Sequence, residues 1–242
     1  MNFHIKVVDA AGNNRKESLL GLPKDDSWVL HGPFVDRSLI RNALAYTLSR
    51  SAGVYAPRTA FFELILGSSI GELMALGGRQ PGWWLEGAGS STGSVFRGLY
   101  VLEERIKRGS QRVDVKATAA NNSKDEIRGY IVRSDKSDAA DRSVVLGVSG
   151  AKLLINVYPK LPTLAQIDLI HQDLEVAEAV LFGPCFNSST NSGDSSSFVS
   201  FEEVIDSSSA QNYFLIQELT NNVDAFRYSS LLVFVSGNFY VQ

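Results

Sequence analysis

A change in hydrophobic periodicity along the chain constrains the fold more than any other feature of the sequence. The first half carries short runs rich in β-branched and aromatic residues, a composition typical of strands. The segment 163–182 instead repeats apolar residues at spacings of three and four, which is typical of a helix. A second apolar helix and a hairpin around Ser236-Gly237 follow. Because strands and helices are segregated, this order predicts an α+β domain with a β-rich N-terminal half and a helical C-terminal half.

Local signals place the individual strands. Runs with strand composition predict strands over 3–8, 59–66, 98–104, 129–134 and 145–158, and two more on either side of Ser236-Gly237. A turn is expected from Asp9 to Asn14, and the stretch from Glu17 to Asp36 is predicted to be mostly loop. The strands at 59–66 and 98–104 are expected to form a hairpin with a large insert at its tip.

Capping residues and apolar spacing predict three helices. The first runs from about 38 to 51, where Asp36 or Ser38 can cap it, and where Ile40 and Leu44 begin its apolar face. The second follows Pro162, with Thr163 and Gln166 in the spacing of a capping box. The third runs from about 207 to 219 with Ser207 as its expected cap. Since it is apolar nearly all round, this helix is predicted to be buried.

The domain organisation follows from length and low-complexity segments. A chain of 242 residues is long enough for one large domain or two small ones. No composition shift suggests a linker, so one domain is predicted over residues 1–242. Two Gly- or Ser-rich stretches, 67–97 and 185–200, are predicted to be loop insertions within it.

Charge and residue counts exclude several classes of function. The net charge of −3 provides no global basic field for nucleic-acid binding, so no nucleic-acid partner is expected. The single cysteine, Cys185, excludes an internal disulfide framework and a Cys-rich zinc site. No apolar run approaches the length of a transmembrane helix. The N-terminus reads as a strand and turn rather than as a signal peptide.

The loop between the third helix and the final hairpin is the most promising place for chemistry. It contains Asn222, Asp224 and Ser229, and polar side chains held between a helix and a hairpin suit a functional site. Protein kinases place their catalytic Asp in such a setting, with a metal-binding Asn five residues later. Asp224 has Ser229 at that spacing. The alternative is that Asp224 is only a turn-former in a polar loop.

Several motifs in this order resemble the spore-coat protein H (CotH) kinase-like family. The segment 18–66 is similar to the N-terminal signature of that family. The segment 97–115 carries its G-x-Y strand, E-x-I-K turn and R-V-D motif, and 159–181 resembles the helix that follows its sheet. The segment 200–230 resembles its I-D-x-x-S helix and E-L-x-x-N-x-D loop. The similarity covers most of residues 17–232.

The resemblance implies a diverged protein-kinase-like fold and an atypical protein serine/threonine kinase. Such a kinase would use ATP with Mg²⁺ or Mn²⁺ to phosphorylate secreted or surface proteins, outside the cell or at its surface. By position, Asp224 matches the catalytic Asp, which would orient or deprotonate the substrate hydroxyl. Asn222 matches the Asn of the loop, and Ser229 lies where other kinases have a metal-binding Asn. Both are therefore candidate metal ligands.

Four residues of the first half are candidate ATP-binding residues. Lys107 is the last residue of the E-x-I-K turn and is either a phosphate contact or part of a solvated hairpin end. Glu104 would pair with a cation. Arg58 is either a phosphate contact or part of a structural ion pair. Tyr100 could stack on adenine, but a strand tyrosine often belongs to the core.

The family pattern continues beyond the final hairpin into a W-D-x-D or D-x-N segment that supplies a second metal-binding Asp. Gln242 ends the sequence before that segment. We therefore expect the chain to be incomplete at its C-terminus and to transfer phosphate poorly or not at all. The alternative function is a non-catalytic surface or coat binding module, or a pseudokinase, on the same fold. Metal-dependent ATP binding distinguishes the two.

Overall fold

A computed structural model describes residues 2–66, 95–116, 129–136, 141–182, 201–222, 224–225, 230–235 and 238–241. Contacts divide the chain into two units, one made of Met1–Tyr46 and Pro57–Arg105 and the other of Thr47–Ala56 and Ile106–Gln242. Most of both predicted insertions, at 67–94 and 185–200, lies outside the described residues. Sheets and helices are present together, as predicted for an α+β protein. The prediction of a single domain stays a prediction.

The first unit contains a four-stranded antiparallel sheet. Its strands are β1 (Phe3–Lys6), β2 (Ser27–His31), β3 (Thr59–Leu66) and β4 (Val95–Glu104), in the order β1-β2-β4-β3. The β3–β4 hairpin is confirmed. The expectation of a mostly loop segment before the first helix is wrong at β2. This short strand with polar ends is held by pairing with β1 and β4, which is not visible in its local sequence.

Alternation along β4 gives its two faces different neighbours. Tyr100 and Leu102 lie on one face in an apolar cluster with Trp28 and Leu30 of β2. The register shifts between Leu64 and Ile65 of β3, close to where Gly98 of β4 has φ +107. Residues other than glycine rarely adopt that conformation, so glycine at this irregularity keeps the long hairpin paired.

The helix α1 (Arg41–Ser51) begins three residues later than predicted. Asp36 is its capping residue, because its carboxylate accepts hydrogen bonds from the backbone N–H groups of Ser38 and Arg41 at 2.9 and 2.8 Å. These bonds lower the pKa of Asp36 to about 2. The predicted apolar face is only partly covered, since Ala43, which extends it, is buried, whereas Ile40 and Leu44 are about half exposed. Periodicity identifies a face but does not show whether anything covers it.

The second unit contains a five-stranded antiparallel sheet. Its strands are β5 (Gly129–Ser134), β6 (Ser143–Val145), β7 (Lys152–Tyr158), β8 (Ser230–Val235) and β9 (Asn238–Val241), in the order β6-β7-β5-β8-β9. The predicted strand at 129–134 and the final hairpin are confirmed. The predicted segment 145–158 contains β7 and the last residue of β6, with a turn between the two strands.

Three helices accompany this sheet: α2 (Leu164–Phe182), α3 (Phe201–Val204) and α4 (Ser207–Thr220). The capping box of α2 is confirmed, since Thr163 and Gln166 exchange side-chain to backbone hydrogen bonds at 3.0 and 3.2 Å. Ile170 and Leu174 of α2 belong to the same buried cluster as Tyr130 of β5. The core of this unit therefore lies between α2 and one face of the sheet. No helix in the described part of the chain is long and apolar enough to cross a membrane.

The helix α4 corrects two predictions. Its cap is Asp206 rather than Ser207, because the Asp206 carboxylate accepts a hydrogen bond from the backbone N–H of Ser209 at 2.7 Å. The helix is also not buried all round. Ile216 is buried, whereas Leu215 and Leu219 are 62% and 73% exposed. In the described structure α4 packs against β9, so that one side of the helix is covered.

Candidate functional site

Asp224 lies between α4 and β8, and hydrogen bonds connect the described residues 221, 222, 224 and 225 around it. Asn221 ends α4 in the left-handed conformation, with φ 49 and ψ 49. The next residue, Asn222, accepts a hydrogen bond from the backbone N–H of Asp224 through Oδ1 at 3.3 Å, and its carbonyl accepts from the N–H of Ala225 at 3.2 Å. Asp224 itself is exposed. The turn therefore presents the Asp224 side chain at the surface while fixing its backbone.

Asn222 has a structural part in this turn that its sequence position does not reveal. Its amide nitrogen donates to Gln217 Oε1 at 2.8 Å, while its amide oxygen accepts from Asp224. The nitrogen end of the amide therefore connects the loop to α4, and the oxygen end bonds within the loop. The proposed role of Asn222 as a metal ligand stays a prediction. Ser229, the other candidate metal ligand, lies outside the described residues.

The residue after Asp224 is held firmly. Ala225 is buried, and its carbonyl oxygen accepts hydrogen bonds from the hydroxyl of Tyr213 in α4 and from Ser230 Oγ at the start of β8, the latter at 2.5 Å. Burial raises the pKa of Tyr213, although the hydrogen bond with Ser230 acts in the opposite direction. The hydroxyl of Tyr213 is therefore protonated at neutral pH. The sequence assigned no role to Tyr213 or Ser230 in holding Ala225, because this contact arises only when the chain folds.

In the first unit, Arg58 and Glu104 form an ion pair supported by backbone contacts. Arg58 Nε lies 2.9 Å from Glu104 Oε1, and the backbone N–H of Arg58 donates to Glu104 Oε2 at 3.0 Å. The backbone N–H of Glu104 donates in turn to the Arg58 carbonyl at 3.1 Å. The Glu104 side chain is fully buried, and that of Arg58 is 33% exposed. The predicted cation partner of Glu104 is thus present, and a phosphate-contacting role for Arg58 stays a prediction.

Glu103 is a functional candidate that sequence inspection missed. It lies on the opposite face of β4 from Glu104 and is buried, and burial raises its pKa to about 7, although a hydrogen bond from Asn42 opposes this shift. Among the described residues its Oε1 atom has no hydrogen-bond partner. Asn42 Nδ2 also lies 3.3 Å from Nε2 of His31. Alternation along a strand could have predicted that the two glutamates lie on opposite faces, but not which residues surround each of them.

Tyr100 lies in the core of the first unit. It is buried, and its ring centroid lies 6.1 Å from that of Phe3 and 6.2 Å from that of Phe62. This environment agrees with the alternative in which the tyrosine contributes to packing. The stacking of Tyr100 on adenine stays a prediction.

Lys107 begins a basic loop that packs on the second sheet. Lys107 is half-buried, and its carbonyl accepts a hydrogen bond from the backbone N–H of Val113 at 3.3 Å. The guanidinium of Arg108 lies 5.4 Å from the ring centroid of Tyr158, and its Nε donates to the Val115 carbonyl at 3.0 Å. Val113 and Val115 are buried on the face of the sheet away from α2. The buried valines of this segment therefore pack on the sheet, and a phosphate-contacting role for Lys107 stays a prediction.

Oxygen donors capable of binding a divalent cation are few in the described part of the Asp224 loop. The Asp224 carboxylate and the Asn222 amide oxygen are donors of the kind that Mg²⁺ and Mn²⁺ prefer. In the ranges that the structure describes, no group of three or more His, Cys, Asp or Glu side chains is placed to hold a metal ion. A metal bound here would thus need the Asn amide, a hydroxyl, water or nucleotide oxygens as further ligands.

Comparison with known proteins identifies the class of this chain. A model of the family described as CotH kinase protein matches residues 1–149. The match covers more than half of the chain, so the protein belongs to the CotH kinase protein family, as its motifs predicted. No curated protein and no solved structure matches the chain. Arg58, Tyr100, Glu104 and Lys107 lie inside the matched residues, whereas the Asp224 loop follows them.

Proposed function

We propose that the protein is an atypical protein kinase that transfers the γ-phosphate of ATP to Ser or Thr residues of secreted or surface proteins. Membership of the CotH kinase protein family is the observation that carries this proposal. We propose with it a diverged kinase-like fold, a single domain, and a location outside the cell or at its surface. The motifs at 159–181 and 200–230 lie beyond the residues that the family model matches, and their order supports the same function.

Asp224 is the proposed catalytic residue. Its carboxylate is exposed on a turn whose backbone is fixed on both sides, so the group can approach a substrate hydroxyl with little loss of conformational freedom. It would accept or orient the hydroxyl proton while the oxygen attacks phosphorus. Asn222 Oδ1 accepts one hydrogen bond and retains a second lone pair, which fits a metal-ligand role. When bound, Mg²⁺ or Mn²⁺ would neutralise phosphate charge.

The proposed nucleotide contacts come from charged residues of the family-matched part. Glu104 fixes the orientation of Arg58, and a guanidinium held in this way can bind phosphate oxygens through its remaining surface. Lys107 is positioned by its ordered loop and would contribute a second positive charge. We propose phosphate contacts for both residues, each to be tested separately from the chemistry at Asp224.

A phosphate-transfer assay tests the proposal directly. The full chain is incubated with radiolabelled ATP and Mg²⁺ or Mn²⁺, and incorporation into the protein itself and into Ser/Thr-rich acceptors is measured. We expect Asp224→Asn to reduce any transfer by at least about 100-fold, as expected for loss of a catalytic acid–base group. Asp168→Asn, which removes an exposed carboxylate from α2, is the matched control and should retain full activity.

Two results would contradict this reading in different ways. If the protein does not bind ATP in the presence of either Mg²⁺ or Mn²⁺, the kinase function is wrong. If transfer occurs and both variants retain it equally, the function stands and the assignment of Asp224 is wrong.

A non-catalytic binding module or pseudokinase is the second candidate function. It is favoured by Ser229, since a serine hydroxyl is a weaker metal ligand than the Asn amide oxygen typical of kinases at this spacing. It is also favoured by the engagement of both ends of the Asn222 amide in loop hydrogen bonds. Under this function a protein partner would bind without phosphate transfer, and calorimetry would detect no metal-dependent ATP binding.

A further inference from the structure

Three oxygen atoms meet beside Asp224. The Tyr213 hydroxyl and Ser230 Oγ both contact the carbonyl oxygen of Ala225, and they lie 2.6 Å from each other. Tyr213 belongs to α4, and Ser230 is the first residue of β8, where it pairs with Ser134 of β5. The carbonyl that follows Asp224 is thus held by one group from a helix and one from the central part of a sheet.

The number of hydroxyl protons shows that the hydrogen bonds among these three oxygen atoms depend on one another. Two hydroxyl groups supply two protons, whereas three oxygen–oxygen contacts are present, so one contact lacks a proton at any moment. Within the cluster, either both hydroxyls donate to Ala225, or one donates to the other, which then donates to Ala225. In both of these arrangements the carbonyl accepts at least one hydrogen bond, and removing either hydroxyl leaves one donor in the cluster. The two residues are therefore expected to be partly redundant and strongly coupled.

We propose that Tyr213 and Ser230 are positioning residues that hold the Ala225 carbonyl and thereby fix the backbone from which the Asp224 carboxylate projects. This inference rests on the proposed function, in which Asp224 meets the substrate hydroxyl. Asn222 restrains the N-terminal side of Asp224, and the two hydroxyls restrain its C-terminal side. A carboxylate restrained from both sides needs little reorganisation before reaction, and a displacement of about 1 Å can cost about 100-fold in rate.

The test compares removal of each hydroxyl with its conservative replacement in the full chain. Tyr213→Phe and Ser230→Ala each remove one donor, and Ser230→Thr retains the hydroxyl. Tyr240→Phe is the matched control, because Tyr240 is a partly buried tyrosine of β9 in the same unit. We expect each single removal to lower kcat about threefold with a KM for ATP within about twofold, because the other hydroxyl still holds the carbonyl. The double removal should lower kcat about 100-fold, which exceeds the product of the single effects. Ser230→Thr should restore most of the rate.

Hydrogen–deuterium exchange of the peptide 221–230 provides a readout that does not depend on activity. Loss of either hydroxyl should speed exchange there by at least about threefold while leaving α2 unchanged, since a released carbonyl loosens the turn. If the wild-type protein transfers no phosphate but exchange responds in this way, the kinase function fails and the positioning contact stands. If Tyr213→Phe and Ser230→Ala change neither kcat nor exchange relative to Tyr240→Phe, the positioning role is wrong.

Discussion

Glu103 and Glu104 are neighbours in sequence, but the two faces of β4 give them opposite environments. The carboxylate of Glu104 is fully buried and receives hydrogen bonds from the side chain and the backbone of Arg58. Glu103 is also buried, but it accepts a hydrogen bond from the neutral amide of Asn42, and burial raises its pKa to about 7. Burial alone therefore does not decide the charge of a carboxyl group.

The difference teaches how the surroundings determine what a buried acid can do. A carboxylate that faces a guanidinium retains its charge, since the ion pair offsets the cost of leaving water. A carboxyl group that faces an amide loses hydration without gaining an opposite charge, so the protonated form is favoured near neutral pH. Glu104 thus orients Arg58, whereas Glu103 is a group whose protonation changes in the physiological range.

Replacing Glu104 by glutamine should cause the largest effect. The substitution removes the carboxylate that Arg58 Nε contacts at 2.9 Å, and breaking a buried pair typically costs about 3–5 kcal/mol of stability. Because Arg58 is one-third exposed, we expect a loss of about 3–4 kcal/mol in the free energy of unfolding, measured by urea denaturation. Glu63→Gln, at an exposed position of β3, is the control and should change stability by less than about 0.5 kcal/mol.

A double substitution sharpens this result. Arg58→Met together with Glu104→Gln removes both charges of this pair, and part of the lost stability should return, because the guanidinium that faced Glu104 is removed with it. Equal stability of Glu104→Gln and Glu63→Gln would show that the ion pair contributes nothing.

The pH dependence of stability should reveal the contrasting state of Glu103. Its folded-state pKa of about 7 exceeds the ordinary value of 4.5, so the folded protein binds the proton more tightly than the unfolded chain does. The stability that this proton provides is fully present below about pH 4.5 and is lost as pH rises to about 7. We expect the loss to be on the order of 2–3 kcal/mol.

Glu103→Gln isolates this contribution from those of other titrating groups. The variant should lack that part of the pH dependence and should be more stable than the wild type at pH 8, as measured by urea denaturation at several pH values. A wild-type profile that runs parallel to the Glu103→Gln profile from pH 4 to 8 would show that Glu103 remains ionised when folded.

Most of the fold could be predicted where local pattern and tertiary environment agree. The strand β3 and the helix α2 combine consistent apolar periodicity with clear end signals, and both were placed closely. The strand β2 was missed because its stability comes from pairing with two strands distant in sequence. The burial of α4 was overpredicted, because apolar composition does not show whether a neighbouring element covers Leu215 and Leu219.

The candidate site could be predicted only in part, for a similar reason. The spacing of the loop singled out Asp224, and the family resemblance singled out Glu104, as candidates whose roles stay predictions. The contacts that determine the behaviour of a site come from distant parts of the chain. Tyr213 meets Ala225 through the packing of a helix beside a loop, and Glu103 acquires its environment from α1 and two neighbouring strands. Those contacts are products of folding and leave no local signature.

The smallest expected effect comes from replacing Asn42, which bonds to Glu103 and so tests one face of β4 specifically. Its amide nitrogen can only donate, so His31 Nε2 is the acceptor in their 3.3 Å contact, and the ring is neutral at that atom. Burial lowers the pKa of His31, and the bond from Asn42 lowers that of Glu103. Replacing Asn42 by alanine should therefore raise the pKa of both groups, each by less than about one unit, which corresponds to roughly 1 kcal/mol.

The pKa values of His31 and Glu103 can be followed by NMR titration of their side chains. Asn13→Ala is a suitable control, because Asn13 lies in the same unit and bonds to Asp9 in an exposed turn. The pairing of Glu104 with Arg58 should not change in either variant. The two Arg58 nitrogen atoms that donate to Glu104 lie on the other face of the sheet or at its edge. A rise in the pKa of His31 without a rise in that of Glu103 would show that Asn42 bonds to the imidazole alone, and that burial by itself sets the protonation of Glu103.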